Sequence, residues 1–473
     1  MPTPAPSASI TDRLNALPIT GLHKRFVAII GISMFFDVYE LFLTSVLVST
    51  LKKHFDVPAE LVPLVLASTF IGAFLGAAVF GRIADRIGRR RALMITIALY
   101  SLFSLLGAFS TSAWMLIVTR VIAGIGLGGE YPVTNSYMGD ILPARQRGRY
   151  MAWAFTLSYL GVPLVGFLGV WLVEHSLFGV DGWRIMFVIG ALGAAIVWIL
   201  RNGMPESPRW LAANGRHAQA HEIVARFERA AGQAVPPLAA PAAETPTTVP
   251  SVRESFGVLL RRPMLSRFLL MASVSAFYVF GYYGFGSLVP LILVAKGQTI
   301  INSVLYSAMS FIGYPIGSAL SIPLMERFQR KAILMGSAAV MVAAGLGFGF
   351  SSEALPVVVC GLIYTLASNV MSNAYHIFMS EQFPTALRGT AIGWCYSLSR
   401  LSTAAVPFIL LPFMNQHGPT ALLLLVAGIM AAIVAAVGLF GVRTTGRGLE
   451  DINADAPAPA AALARSAGVS APR

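Results

Sequence analysis

The chain has 473 residues, of which 56% are apolar and 12% charged, with a formal net charge of +13 at pH 7. So few charged groups cannot coat a water-soluble globule of this size, which excludes an ordinary soluble domain. The basic residues stand in short clusters between apolar blocks, a pattern that points to a lipid bilayer as partner and away from nucleic acid.

The polar segment 1–25 lacks the short apolar core of a cleavable signal, so the first apolar block is expected to remain as a spanning helix. About twenty apolar residues at 1.5 Å each cross roughly 30 Å of hydrocarbon. On that measure twelve spans are predicted, at 26–50, 62–82, 92–109, 114–138, 150–173, 184–202, 266–293, 301–325, 332–352, 356–379, 390–413 and 420–441. Residues 26–203 then form one six-helix bundle and 266–441 a second. The segment 204–265 between them is a linker with an amphipathic helix over Arg216–Arg229 and an Ala/Pro-rich stretch, Ala234–Pro250. The tail, 442–473, is also Ala/Pro-rich and is expected to be disordered. The fold class is an all-α membrane protein of twelve transmembrane helices. Cys360 and Cys395 fall inside apolar blocks, so no structural disulfide is expected.

The two bundles are related by an internal repeat. Phe70-Ile71-Gly72 recurs as Phe311-Ile312-Gly313, and Gly76 recurs as Gly317, at a fixed offset of 241 residues. Asp85, Arg86, Arg89 and Arg90 return as Glu326, Arg327, Arg330 and Lys331. Met138, Asp140, Pro143, Arg147 and Gly148 match Met379, Glu381, Pro384, Arg388 and Gly389. A long repeat inside an apolar chain implies a membrane transporter of two equivalent halves. Both copies of the basic loop belong on one side, which requires an even number of spans per half. The loops after spans 2, 4, 8 and 10 hold most of the loop arginines. The opposite side has only Lys52, Lys53, Arg184 and Lys296, so both termini and the linker are expected in the cytoplasm.

Ionisable groups at membrane depth are costly and mark function. They are Asp37 and Glu40 in span 1, Arg120 and Glu130 in span 4, and Arg400 in span 11. Spans 3, 6, 9 and 12 have none away from their ends and are expected to face lipid as an outer scaffold. Helix rise puts Glu40 and Arg120 at the same level, roughly 21 Å from the cytoplasmic end, so an ion pair is open to them. Asp37 and Arg400 both fall at roughly 16 Å, near the midplane. Glu40, Asp37, Arg120 and Glu130 are therefore candidate functional groups, with structural glue between helices as the competing reading. The repeat mate of Arg400 is Tyr159, and that of Asp37 is Tyr278. Tyr282 lies one turn beyond Tyr278, and Tyr396 one turn before Arg400. An arginine ringed by Tyr159, Tyr278, Tyr282 and Tyr396, facing Asp37 across a water-accessible hollow, suits a small flat carboxylate.

Gly81-Arg82-Ile83-Ala84-Asp85-Arg86-Ile87-Gly88-Arg89-Arg90 resembles the loop signature of the major facilitator superfamily. Arg120–Gly129, Glu130-Tyr131-Pro132, Pro205–Leu211 and Glu381-Gln382-Phe383-Pro384 resemble its sugar-porter-like branch. That branch includes sugar, aromatic-acid, niacin and organic-cation transporters and the synaptic-vesicle SV2 proteins. Asp37-Val38-Tyr39-Glu40 is similar to the Asp-Gly-Tyr-Asp of aromatic-acid/proton symporters. Glu40 stands where sugar/proton symporters hold a proton-binding Asp paired with the arginine matched by Arg120. Arg400 stands near where organic-cation transporters carry an Asp, which argues against cations. Gly281–Gly286 is most similar to the niacin-transporter group.

The resemblance implies alternating access, with Asp85, Arg86, Arg89, Glu326, Arg327, Arg330, Asp140, Arg147, Glu381 and Arg388 as a conformational latch. The expected function is a proton-coupled importer of a small organic monocarboxylate, nicotinate first, in a bacterial inner membrane. It would be a monomer with the proton gradient in place of any cofactor or metal. Benzoate-type acids, a proton-driven exporter and a non-transporting binding protein stay open. No nucleotide-binding loop, metal cluster or hydrolytic triad appears in the sequence, so an enzyme is not expected.

Overall fold

The computed structural model describes residues 9–173, 175–177, 179–235, 252–262 and 264–442. Twelve of its helices are long and apolar enough to cross a membrane. Spans 1 to 6 are Gly21–His54, Val62–Ile87, Arg89–Ala108, Ala113–Ile141, Ala144–Leu172 and Gly182–Arg201. Spans 7 to 12 are Met264–Ala295, Ile300–Arg327, Arg330–Phe350, Ala354–Glu381, Leu387–His417 and Pro419–Phe440. Each overlaps one predicted block. The largest departure is span 5, which opens at Ala144 because its polar first turns are helical too. Most of Ala234–Pro250, and the tail from residue 443, lie outside the described residues.

Local chemistry sets the helix ends. Ser112 caps span 4 by accepting from the Met115 amide, and Thr299 caps span 8 through Asn302. Gly418, at φ +87°, closes span 11, and Pro419 opens span 12. Three spans are interrupted. Span 5 breaks at Leu160 into Ala144–Tyr159 and Gly161–Leu172, span 8 breaks at Ile312 into Ile300–Phe311 and Gly313–Arg327, and span 7 carries a π-helical turn at Phe280–Gly284.

The chain divides into two compact units, residues 1–246 and 247–473. In the first, spans 2 and 4 meet backbone to backbone. A Cβ at Gly72 would run into the Val121 carbonyl oxygen, and one at Gly76 into that of Ile125. In the second, Gly313 meets the Leu362 carbonyl oxygen in the same way and Gly317 that of Leu366. Each contact is the first unit's contact with 241 added to both residue numbers, so the repeat is one of packing as well as of letters. Small residues at such crossings permit close helix approach. Gly72→Val and Gly313→Val are each expected to lower the melting temperature in detergent, by an overpacking cost of about 1–3 kcal/mol. Gly139→Ala, a position where a Cβ meets nothing within 4 Å, is expected to leave it unchanged. Equal melting of all three would remove the packing account.

The segment before span 1 is more ordered than its polarity suggests. Ile10–Ala16 is helical, buries Leu14, and docks on helix His217–Ala230, the amphipathic helix expected in the linker. Arg13 grips Glu228 with both Nε (2.9 Å) and Nη2 (2.7 Å), and its Nη1 lies 2.9 Å from His221 Nδ1. The lipid-facing expectation for span 6 needs one correction. Leu192, Ile196 and Ile199 are exposed, but Arg201, at its last turn, points inward and is 1% exposed.

Candidate functional site

Within the spans of the first unit, the buried charges among the described residues form two ion pairs and one surplus carboxylate. Arg120 Nη1 donates to Glu40 Oε2 at 2.7 Å, and Ser104 Oγ donates to Glu40 Oε1 at 2.5 Å. Both members of the pair are fully buried. The Arg120 guanidinium lies 4.6 Å over the Phe187 ring, so spans 1, 3, 4 and 6 all shape this pair. Gly190 of span 6 leaves room for it, since a Cβ there would collide with Glu40 Oε1.

The second pair joins Glu130 to Arg201, a residue that the sequence reading did not single out. Arg201 Nη2 donates to Glu130 Oε1 and, at 2.7 Å, to Ser33 Oγ; Nη1 donates to Glu130 Oε2 at 3.2 Å and to the Leu93 carbonyl at 2.9 Å. Thr96 Oγ1 donates to Glu130 Oε2 at 2.6 Å. A carboxylate and a guanidinium removed from water are tolerated only when paired and hydrogen-bonded in this way.

Asp37 sits beside both pairs and belongs to neither. It is 8% exposed, and its Oδ1 is buried without a hydrogen-bond partner. Its ionisable neighbours are Glu130 and Arg201, then Tyr100 of span 3 and Glu40 one turn along its own helix.

In the second unit Arg400 is half-buried against tyrosines. Its Nη2 donates to the Tyr396 hydroxyl at 2.7 Å and its Nη1 to the Tyr283 hydroxyl at 3.1 Å. The guanidinium lies 4.7 Å from the Tyr396 ring centre and 5.7 Å from that of Tyr283. Among the described residues no Asp or Glu forms an ion pair with it. Tyr278, named from sequence, is also among its neighbours and packs 4.7 Å from the Tyr375 ring. Tyr282 instead packs on Tyr314 and Tyr283.

The cause of that last departure is the π turn. Spacing of i, i+4 puts Tyr282 one α-turn from Tyr278, whereas the wide turn uses i→i+5 spacing and brings Tyr283 round. His376 was also not singled out. Its ring lies 5.2 Å from that of Tyr375, and its Nδ1 donates to the Ser372 carbonyl at 2.7 Å. Tyr159, the repeat mate of Arg400, is half-buried in the first unit, where span 5 breaks.

The latch residues pair loop by loop. Arg89 bonds Asp85 at 3.0 Å and Asp140 at 3.3 Å; in the second unit Arg330 bonds Glu381 at 3.3 Å. Arg147 donates to the Leu142 carbonyl at 3.2 Å, and Arg388 to the equivalent Phe383 carbonyl at 3.4 Å. Arg90 closes the end of span 6 through the Asn202 carbonyl at 2.8 Å, and Lys331 that of span 12 through Gly438 and Gly441 at 2.8 and 2.9 Å. Arg86, Glu326 and Arg327 make no ion pair among the described residues. In the first unit Glu206 joins this set. Its Oε1 accepts from the Arg90 amide at 2.9 Å, and it packs where a Cβ of Gly88 (φ +103°) would sit.

The two units share this scaffold but not its chemistry. The repeat mates of Glu40, Arg120, Glu130 and Arg201 are Gly281, Gly361, Met371 and Val442. Buried ion pairs therefore belong to the first unit, and the arginine–tyrosine cluster to the second.

Residues 25–456 match the family model described as "Sugar (and other) transporter". The chain is 32% identical to a putative metabolite transport protein, YyaJ, of Bacillus subtilis over 93% of its own length and 97% of the relative's. It is 28% identical to the niacin transporter NiaP of Acinetobacter baylyi, covering 94% of this chain and 99% of that one. The xylose transporter XylE of E. coli, in a partially occluded inward-open conformation, shares the fold with a TM-score of 0.73 at 19% identity, covering 90% of this chain and 99% of the other.

Proposed function

Given that the chain belongs to the sugar (and other) transporter family of the major facilitator superfamily, we propose that it is a proton-coupled importer of a small organic monocarboxylate, nicotinate being the first candidate. Membership makes it a multi-pass membrane transporter rather than an enzyme. The substrate class rests on Arg400, a half-buried guanidinium that leans on two tyrosine hydroxyls and forms no ion pair with an acid among the described residues. A hydroxyl cannot neutralise a guanidinium, so the cluster is built to receive an anion, and its rings favour a flat one. The niacin transporter among the relatives supports nicotinate. Proton coupling rests on the buried acids of the first unit, Glu40 paired with Arg120, Glu130, and Asp37 beside them. Placement in a bacterial inner membrane rests on the bacterial relatives, and both termini in the cytoplasm on the loop arginines.

Proteoliposomes carrying the purified protein test this reading. With an inside-alkaline gradient they are expected to accumulate labelled nicotinate above its equilibrium level, and collapse of the gradient should release it. Nicotinamide has the same ring without the carboxylate and is expected not to compete. Equal competition by nicotinamide would end the anion-site assignment, and gradient-independent uptake would end the coupling.

A further inference from the structure

We infer that Arg201 is a positioning residue that holds Glu130 as a carboxylate and so confines the exchangeable proton of the first unit to Asp37. This deepens the proton-coupling part of the proposed function. It starts from charge balance. Among the described residues, the membrane-spanning interior of this unit brings together Glu40, Asp37 and Glu130 with only Arg120 and Arg201 to neutralise them. Arg120 is committed to Glu40, with Phe187 beneath it. Arg201 is committed to Glu130 through both Nη atoms, which also donate to Ser33 and the Leu93 carbonyl, while its Nε has no hydrogen-bond partner.

Glu130 is supplied as a carboxylate should be. Ser33 and Thr96 lie at 3.3 and 2.6 Å, and Thr134 at 3.4 Å, all as donors. Asp37 is less well supplied, with the Tyr100 hydroxyl as the side-chain donor that approaches its carboxyl. Its Oδ1 meets no donor, and the ionisable groups facing it are Glu130 from span 4, Arg201 from span 6, Tyr100 from span 3 and Glu40 from its own helix. A third buried carboxylate without a cation is relieved by taking a proton, at far less cost than ionisation in a low-dielectric interior. That proton comes from water, sits on a carboxyl oxygen of Asp37, and returns to water when Asp37 becomes exposed. Without Arg201 the surplus rises from one carboxylate to two, and Glu130 must be protonated as well.

Infrared spectroscopy of the purified full-length protein reads this without any substrate, because a protonated carboxyl has a C=O stretch distinct from that of a carboxylate. At neutral pH the wild type is expected to show one buried, deuterium-sensitive carboxyl band, absent in Asp37→Asn. Arg201→Gln should roughly double the band area, Glu130→Gln in that background should remove the added half, and Arg201→Lys should keep the single band. If Arg201→Gln does not fold, the double variant Glu130→Gln, Arg201→Gln removes charge in a balanced pair and should retain the Asp37 band alone. A band that survives Asp37→Asn, or a folded Arg201→Gln without added intensity, overturns the inference. A merely structural role for Arg201 would change stability but not the number of protonated carboxyls. Failure of nicotinate to bind would leave this readout intact, so the two readings fail separately.

Discussion

Glu40→Gln is expected to abolish accumulation driven by a proton gradient while counterflow exchange of the same substrate continues. The pair it breaks is completely buried, with Arg120 Nη1 2.7 Å from Glu40 Oε2 and Ser104 as a second donor. Gln keeps the volume but cannot balance Arg120, so no ion pair is left to respond to the proton on Asp37. Leaving one partner of a buried pair uncompensated costs about 3–5 kcal/mol, so the variant should also melt earlier. Glu40→Gln combined with Arg120→Gln removes both charges and should recover much of that stability without recovering accumulation. This separates the two roles of the pair. Loss of stability with accumulation intact would make the pair structural glue, whereas loss of accumulation that persists in the restabilised double variant assigns it to coupling.

Arg400→Ala is expected to weaken binding of the carboxylate substrate by roughly ten- to a hundredfold, the equivalent of about 1.5–3 kcal/mol for charge-assisted hydrogen bonds. Arg400→Lys should recover only part of this. A lysine supplies the charge, but not the planar fork that reaches Tyr283 and Tyr396 at once. Isothermal titration with nicotinate gives both values, and wild-type affinity in Arg400→Ala would remove the anion site. Tyr283→Phe is the milder companion. It deletes one acceptor beside Nη1 while keeping the ring, so it should act on affinity far less than loss of the cation.

The sequence carried the membrane architecture because block length and charge clusters are local properties. The level match of Glu40 and Arg120 was also legible, since both lie on regular α-helix where rise per residue converts directly into depth. Tyr396 and Arg400 were legible for the same reason, being four residues apart on one regular helix. Legibility ended where regularity did. The π turn at Phe280–Gly284 has no marker in apolar periodicity, so Tyr282 was expected where Tyr283 is found. Arg201 was hidden differently. At the last turn of an apolar block an arginine normally reaches for water, and only the fold shows that Glu130 and Ser33 turn it inward. The helix at Ile10–Ala16 was likewise missed because it is too short for periodicity, and its stability comes from docking on a partner distant in sequence.

The unequal chemistry of two otherwise matching halves has a consequence for how such a carrier can diversify. The glycine crossings and loop clasps are mechanical parts, needed in duplicate and tied to one another by position. The acids and the tyrosine-flanked arginine are single copies housed in different halves. If Arg400 receives the cargo and the buried acids couple the proton, as proposed above, a change of cargo can be written into the spans around Arg400 alone, with the other half inherited unaltered.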